Sequence, residues 1–280
     1  PLKHVLIWGS LSFLGLMAAP AAHADLVREV GMGRLNWSQG TLVVTGSGAT
    51  GSSGSAGQKR LLAKRAAVTD AYRQLAEAVN GVQVFAETTV NDYVVASDII
   101  RVQVKAVVKG ARITGETRYL SDGTVEVDVE MPIFGRSSLA QAVAFGKALE
   151  NQVSQPYSSL SNYLAFRGVY LPAEPPQADV SGRGFRVAQQ ENYTGLVIDA
   201  SGLAAEPAMG PFIVGAGTRV HPSNTIGVDP EQIVQEGPLH YVEDLDEAKE
   251  DTDRIGDNPL IVRAKAAVGS PMRSNILLDQ

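Results

Sequence analysis

The sequence predicts an α+β fold: a long amphipathic helix packed on an antiparallel sheet, followed by a mostly β second unit. Three observations carry this. Leu61, Val68, Tyr72, Leu75 and Val79 recur at helical spacing between Ser55 and Asn80, which makes one apolar stripe. Thr124–Met131 alternates strictly, with Val125, Val127 and Val129 on one face and Glu126, Asp128 and Glu130 on the other. Beyond residue 190 the apolar runs are short and broken by glycine and proline, as strands are.

The N-terminal segment 1–24 reads as a signal peptide. Lys3 precedes an apolar run, Val5–Met17, and an Ala22-His23-Ala24 site. That run is shorter than the roughly 20 residues a bilayer span needs. Export to the periplasm or the outer membrane is therefore expected. The chain has no cysteine, which removes thiol chemistry, disulfides and cysteine-based metal sites. A formal charge of −6 speaks against nucleic-acid binding.

Residues 25–136 form the expected first domain. Gly40–Thr45 reads as a strand, and Gly46–Gly51 as a flexible glycine loop after it. The loop also fits the spacing of a dinucleotide fingerprint, but the helix starts only after Ser52-Ser53-Gly54-Ser55. Asp70, the acidic residue about 20 positions on, falls inside the helix rather than after a second strand. Ser55 and Gln58 have the spacing of a capping box, and Gly81 suits a helix stop. Ala66, Ala67, Ala71, Ala76 and Ala78 favour helix and allow close approach of another element. Val82–Val90 suits a strand. Asn91–Lys109 is ambiguous: Asp92–Val95 and Ile99-Ile100 suit a short helix, whereas Val102, Val104, Ala106 and Val108 alternate like a strand. Ser121-Asp122-Gly123 then turns one strand into the next.

Residues 137–190 are expected to hold a helix, Ser137–Gln152, with Leu139, Val143 and Leu149 inward. A linker marked by Pro156, Pro172, Pro175 and Pro176 follows it. The C-terminal unit, 191–280, is read as mostly β. Its elements are a strand at Tyr193–Ala200, a hairpin around Gly215–Gly217, a short helix from Leu245 capped by Asp244, and strands at Leu260–Val268 and Asn275–Leu278.

Lys59, Arg60, Lys64 and Arg65 make the first half of the long helix basic. They are either the solvated face of the helix or a partner-contact patch, suited to an anionic surface such as lipid head groups, and are carried as the candidate patch. Two of them lie near the helix N-terminus, where the dipole disfavours cations. Glu243–Asp257 holds eight acidic and two basic residues. It reads as a solvated loop rather than a calcium site, because the EF-hand spacing is missing. His221 and His240 have no partner at ligand spacing. No Gly-x-Ser-x-Gly elbow, His-Glu-x-x-His or phosphate-binding loop occurs. No catalytic residue, metal or cofactor is assigned.

Several segments together resemble a known family. They are the Ala-rich helix AAVTDAYRQLAEAVNGVQV, the run Val107-Val108-Lys109-Gly110-Ala111-Arg112-Ile113, the Asp-Gly hairpin and the closing VEVDVEMPIFG. Over roughly Val30–Gly135 they are similar to the α/β domain of bacterial flagellar envelope proteins, the FlgT and FlgP type. The resemblance implies a non-enzymatic building block of flagellar rings or outer-membrane assemblies. It also implies self-association or docking on other envelope and flagellar proteins, with the outer-membrane surface as a further contact. Many relatives are lipoproteins, and this chain has no cysteine to carry the lipid. The expected function is thus an exported envelope structural or assembly protein. The alternative is a periplasmic module binding a ligand, glycan or peptide in a cleft between the halves. An enzyme would need a Ser, one of the two histidines and an Asp brought together from afar.

Overall fold

The structure is a computed structural model that describes residues 25–49, 53–153, 193–215, 218–221 and 229–278. The expected signal peptide and the expected Pro-rich linker lie outside the described residues. Thr50 and Gly51 of the glycine tract do too.

Five antiparallel strands form the first sheet, in the order β1-β2-β3-β7-β6. They are β1 (Val27–Val30), β2 (Gly33–Asn36), β3 (Thr41–Gly48), β6 (Arg112–Tyr119) and β7 (Val125–Pro132). Between β3 and β6 run helix α1 (Ala56–Ala78), a small ribbon of β4 (Gln83–Phe85) and β5 (Thr88–Thr89), and helices α2 (Val90–Ala96) and α3 (Asp98–Lys109). The β6–β7 turn forms as its residues dictate: Gly123 has φ +87°, and Asp122 Oδ1 accepts from Thr124 N–H at 2.8 Å.

Helix α1 starts at the expected capping box, with Ser55 and Gln58 exchanging both bonds. It lies on the sheet through alanine. Ala63, Ala67 and Ala71 are wholly buried, and they meet β3 where its inward residues shrink from Leu42 and Val44 to Gly46 and Gly48. A Cβ on Gly46 would fall 2.2 Å from Ala67 O, and one on Gly48 would fall 2.3 Å from Ala63 O. Helix backbone therefore rests on strand backbone, which only glycine permits. This corrects the reading of a flexible loop, since Gly46-Ser47-Gly48 ends a strand.

The stripe of α1 also needs correction. Leu75 and Val79 are buried, but Leu61 is 52 % exposed. Tyr72 and Val79 turn toward α3, beside the alanine face that meets the sheet. Toward the N-terminus nothing among the described residues covers the stripe.

Val82–Val90 is not one strand: it folds back at Ala86-Glu87, and Val90 opens α2. Asn91–Lys109 is helical throughout apart from Ser97, which caps α3 by accepting from Ile100 N–H. Val104 and Val108, one turn apart, are buried, while Val102 is exposed. Burial on one side of a helix decided the period that the alternating valines left open.

Helices α4 (Leu139–Ala142) and α5 (Phe145–Val153) close the first core. Leu139, Val143 and Leu149 point inward as expected. The second sheet runs β10-β9-β12-β11-β8 and is mixed. Its strands are β8 (Gly195–Asp199), β9 (Ile213–Gly215), β10 (Thr218–His221), β11 (Pro259–Val268) and β12 (Asn275–Leu278). The long β11 pairs parallel with β8 through its first half and antiparallel with β12 through its second. Short helices α6 (Pro230–Glu236), α7 (Leu245–Glu250) and α8 (Thr252–Ile255) lie between β10 and β11.

The two units are stitched together. Met209 and Gly210 donate backbone N–H groups to Gln83 and Val84 carbonyls, and Met272 donates to Ala86. Phe85 lies between Phe145 and Phe212, with ring centroids 5.9 and 6.1 Å away.

Candidate functional site

The four predicted basic residues lie on the first three turns of α1. Arg60 and Arg65 are exposed, and Lys59 and Lys64 are half-buried. None forms an ion pair among the described residues. They do not make one cluster. Arg60 and Lys64 are one turn apart, whereas Arg65 lies on the stripe of Leu61 and Val68.

That stripe leads into a groove of about 640 Å³ between α1 and α3. Val79, Val104 and Val108 supply apolar floor, and Arg73, Arg101, Lys105 and Lys109 line its lips. Tyr72 gives it no free polar atom, because its hydroxyl donates to Ala111 O at 2.8 Å. The charges on the lips are not equivalent. Arg73 is held by Asp70 at 2.7 Å and Glu77 at 2.8 Å, and Arg101 by Asp98 at 2.8 Å. Lys105 and Lys109, one turn apart and exposed, have no carboxylate among the described residues. These lip residues escaped sequence reasoning because Asn91–Lys109 was ambiguous. The available signal was that Val104/Val108 and Lys105/Lys109 share a four-residue spacing.

Asp70 is a tether. Its carboxylate accepts from Ser47 N–H at 3.1 Å, Arg73 at 2.7 Å and Gln74 at 2.7 Å. The Arg73 hydrogen bond, then that from Ser47, holds it below the usual carboxylate range. The acidic row of β7 is likewise engaged. Arg118 forks onto Asp128 and also reaches Glu126, Arg112 pairs with Glu130, and Thr45 donates to Asp128 at 2.6 Å. Bonding to Arg118 lowers the Asp128 pKa, and burial partly opposes it.

A second cleft, about 460 Å³, opens between the units. Trp37, Gln39, Phe134, Glu236, His240 and Asp253 are among its walls. Here the fold brings a histidine, an aspartate and a serine together. His240 Nδ1 is 2.9 Å from Asp251 Oδ2, and its Nε2 is 3.0 Å from the Ser38 carbonyl oxygen. The Ser38 hydroxyl instead accepts from Leu26 N–H at 3.0 Å. Each ring nitrogen sits against an oxygen, of Asp251 in the second unit and of Ser38 in the first, so the imidazole works as a clasp between the units.

In the acidic stretch, Asp244 caps α7 by accepting from Asp246 and Glu247 N–H. Asp246 pairs with Lys249. Among the described residues no three His, Asp or Glu side chains converge as metal ligands. Asp199, at the end of β8, accepts from Ser201 N–H and pairs with Arg263, which is turn chemistry. Among the described residues no helix is long and apolar enough to cross a membrane.

Residues 195–280 match a family model described as the second domain of Treponema pallidum Tp0624. The match spans the whole second sheet, from β8 to β12. No curated protein matches the chain.

Proposed function

We propose that this protein is an exported, non-enzymatic structural or assembly component of the bacterial cell envelope. In this reading it works by self-association or by docking on other envelope proteins, as the flagellar-type proteins it resembles do. The observation that carries the reading is where unpartnered surface lies. Leu61, Leu62, Val95, Ile99 and Val102 are each at least half exposed, and all belong to the helical layer of the first unit. Exposed apolar residues concentrated on one layer of a folded unit suit a contact with something else. The polar groups that most invite a chemical role, Asp70, Asp128 and His240, are each engaged in holding elements together. The leader-like segment 1–24 supports export.

A second reading, a periplasmic module binding a glycan or peptide, is favoured by the cleft at Trp37 and Phe134. Aromatic walls with convergent polar groups suit such ligands.

Light scattering across a concentration series tests the first reading. It predicts mass rising in multiples of the protomer, or a stable complex with a cross-linked envelope protein. A strict monomer with no such partner contradicts it. If that monomer's Trp37 emission shifted on adding glycan or peptide, the second reading would replace the first.

A further inference from the structure

We propose that the α1–α3 face is a docking surface for an anionic lipid bilayer. The inference uses the envelope reading only to bring lipid within reach. Scattered exposed apolar residues need no explanation, but those set beside exposed cations on the outward face of one helix do. Val95 at the end of α2 and Ile99 and Val102 on α3 are 69, 72 and 66 % exposed. On α1, beyond the end of the groove, Leu61 continues the stripe of Val68, Tyr72 and Val79 out into water at 52 %. A helix apolar on its outer as well as its inner side is built for a second apolar medium.

Charge decides which medium. Val102, Lys105 and Lys109 follow one another at i, i+3 and i+7 on one stripe of α3, so apolar insertion and cationic contact are side by side. Arg73 and Arg101 are neutralised by their own carboxylates, and the lysines have none among the described residues. Arg65 adds an exposed cation beside Leu61. An occupant must therefore be apolar in its depth and anionic at its surface, as an anionic bilayer is. A second copy of this chain fits less well. Its acidic stretch supplies charge, but the nearby Ile233 and Ile255 are buried at 6 and 9 % exposure. The groove between the helices, about 640 Å³, gives an acyl chain a place to lie.

The test is flotation with vesicles of phosphatidylglycerol and phosphatidylethanolamine, against vesicles of phosphatidylcholine alone. The protein is expressed from the full 280-residue sequence and used as cells process it. It is expected to float with the anionic vesicles at low salt, to release at high salt, and to ignore the neutral ones. Lys105→Gln with Lys109→Gln is expected to weaken binding about thirtyfold, from two lost headgroup contacts. Ile99→Asp with Val102→Asp is expected to abolish flotation. All these side chains are exposed, so melting temperatures should stay near that of the parent. As an independent readout, an Ile99→Trp variant is expected to shift its emission to the blue on adding anionic vesicles. Absence of flotation overturns the proposal. So does flotation that survives the α3 substitutions but is lost with Lys59→Gln and Arg60→Gln. If Ile99→Asp with Val102→Asp breaks oligomers of a protein that never binds vesicles, a second copy covers this face. The assembly reading then stands while the lipid proposal falls.

Discussion

Gly46 and Gly48 are places where a single methyl group has nowhere to go. The atoms it would strike are the backbone of α1, at 2.2–2.4 Å, and backbone cannot swing aside as a long side chain does. Gly46→Ala or Gly48→Ala must push the helix off the sheet, at a cost of about 3 kcal/mol or more. Gly57→Ala, with open space around it, should be neutral or slightly stabilising, because alanine favours helix. Urea denaturation of the three variants measures the contrast. Asp128 and Asp70 are tied to Arg118 and Arg73, so each releases its proton more readily in the folded protein than in the unfolded chain. Their stabilisation is complete above about pH 5. It fades as pH falls through the unfolded value near 4 toward the lower folded values. Asp128→Asn is expected to lower the urea midpoint at neutral pH and to flatten its decline below about pH 5. A parent-like slope in the variant contradicts the role given to that carboxylate.

The elements differ in how plainly the sequence announces them. The β6–β7 hairpin was legible because valine and acid alternate without a break and Asp122-Gly123 supplies the turn. The start of α1 was legible because Ser55 and Gln58 are a local device that needs no tertiary partner. The end of β3 was not legible. Gly46-Ser47-Gly48 has the composition of a loop, and only α1 lying across it shows why glycine is required. Helix α3 was half legible, because its apolar residues fit both periods and the choice fell to what packs against it. In the candidate site the cations of α1 were visible, but the groove was not. Lys105 and Lys109 become its lip only once α3 is a helix beside α1. The helical register makes a direct prediction. Val104→Ala should cost about 1–2 kcal/mol, since a buried side chain loses two methyl groups. Val102→Ala, two residues away and exposed, should cost almost nothing. Equal losses at both positions in thermal melts contradict the register.

At the scale of the molecule, two sheets of different design share one body. The first is wholly antiparallel and roofed on one side by α1, with α2 and α3 beside that helix. The second is mixed and attached through Phe85, the Met209-Gly210 backbone and the His240 clasp. The helical layer presents apolar and cationic residues outward. On this reading the layer exists to be covered. Light scattering on the 280-residue chain, over a wide concentration range and with and without anionic vesicles, decides the point. The expected result is mass above that of a protomer at high concentration, or capture by the vesicles. Ile99→Asp with Val102→Asp is expected to lower whichever is seen. A monomer at every concentration that ignores vesicles contradicts the reading.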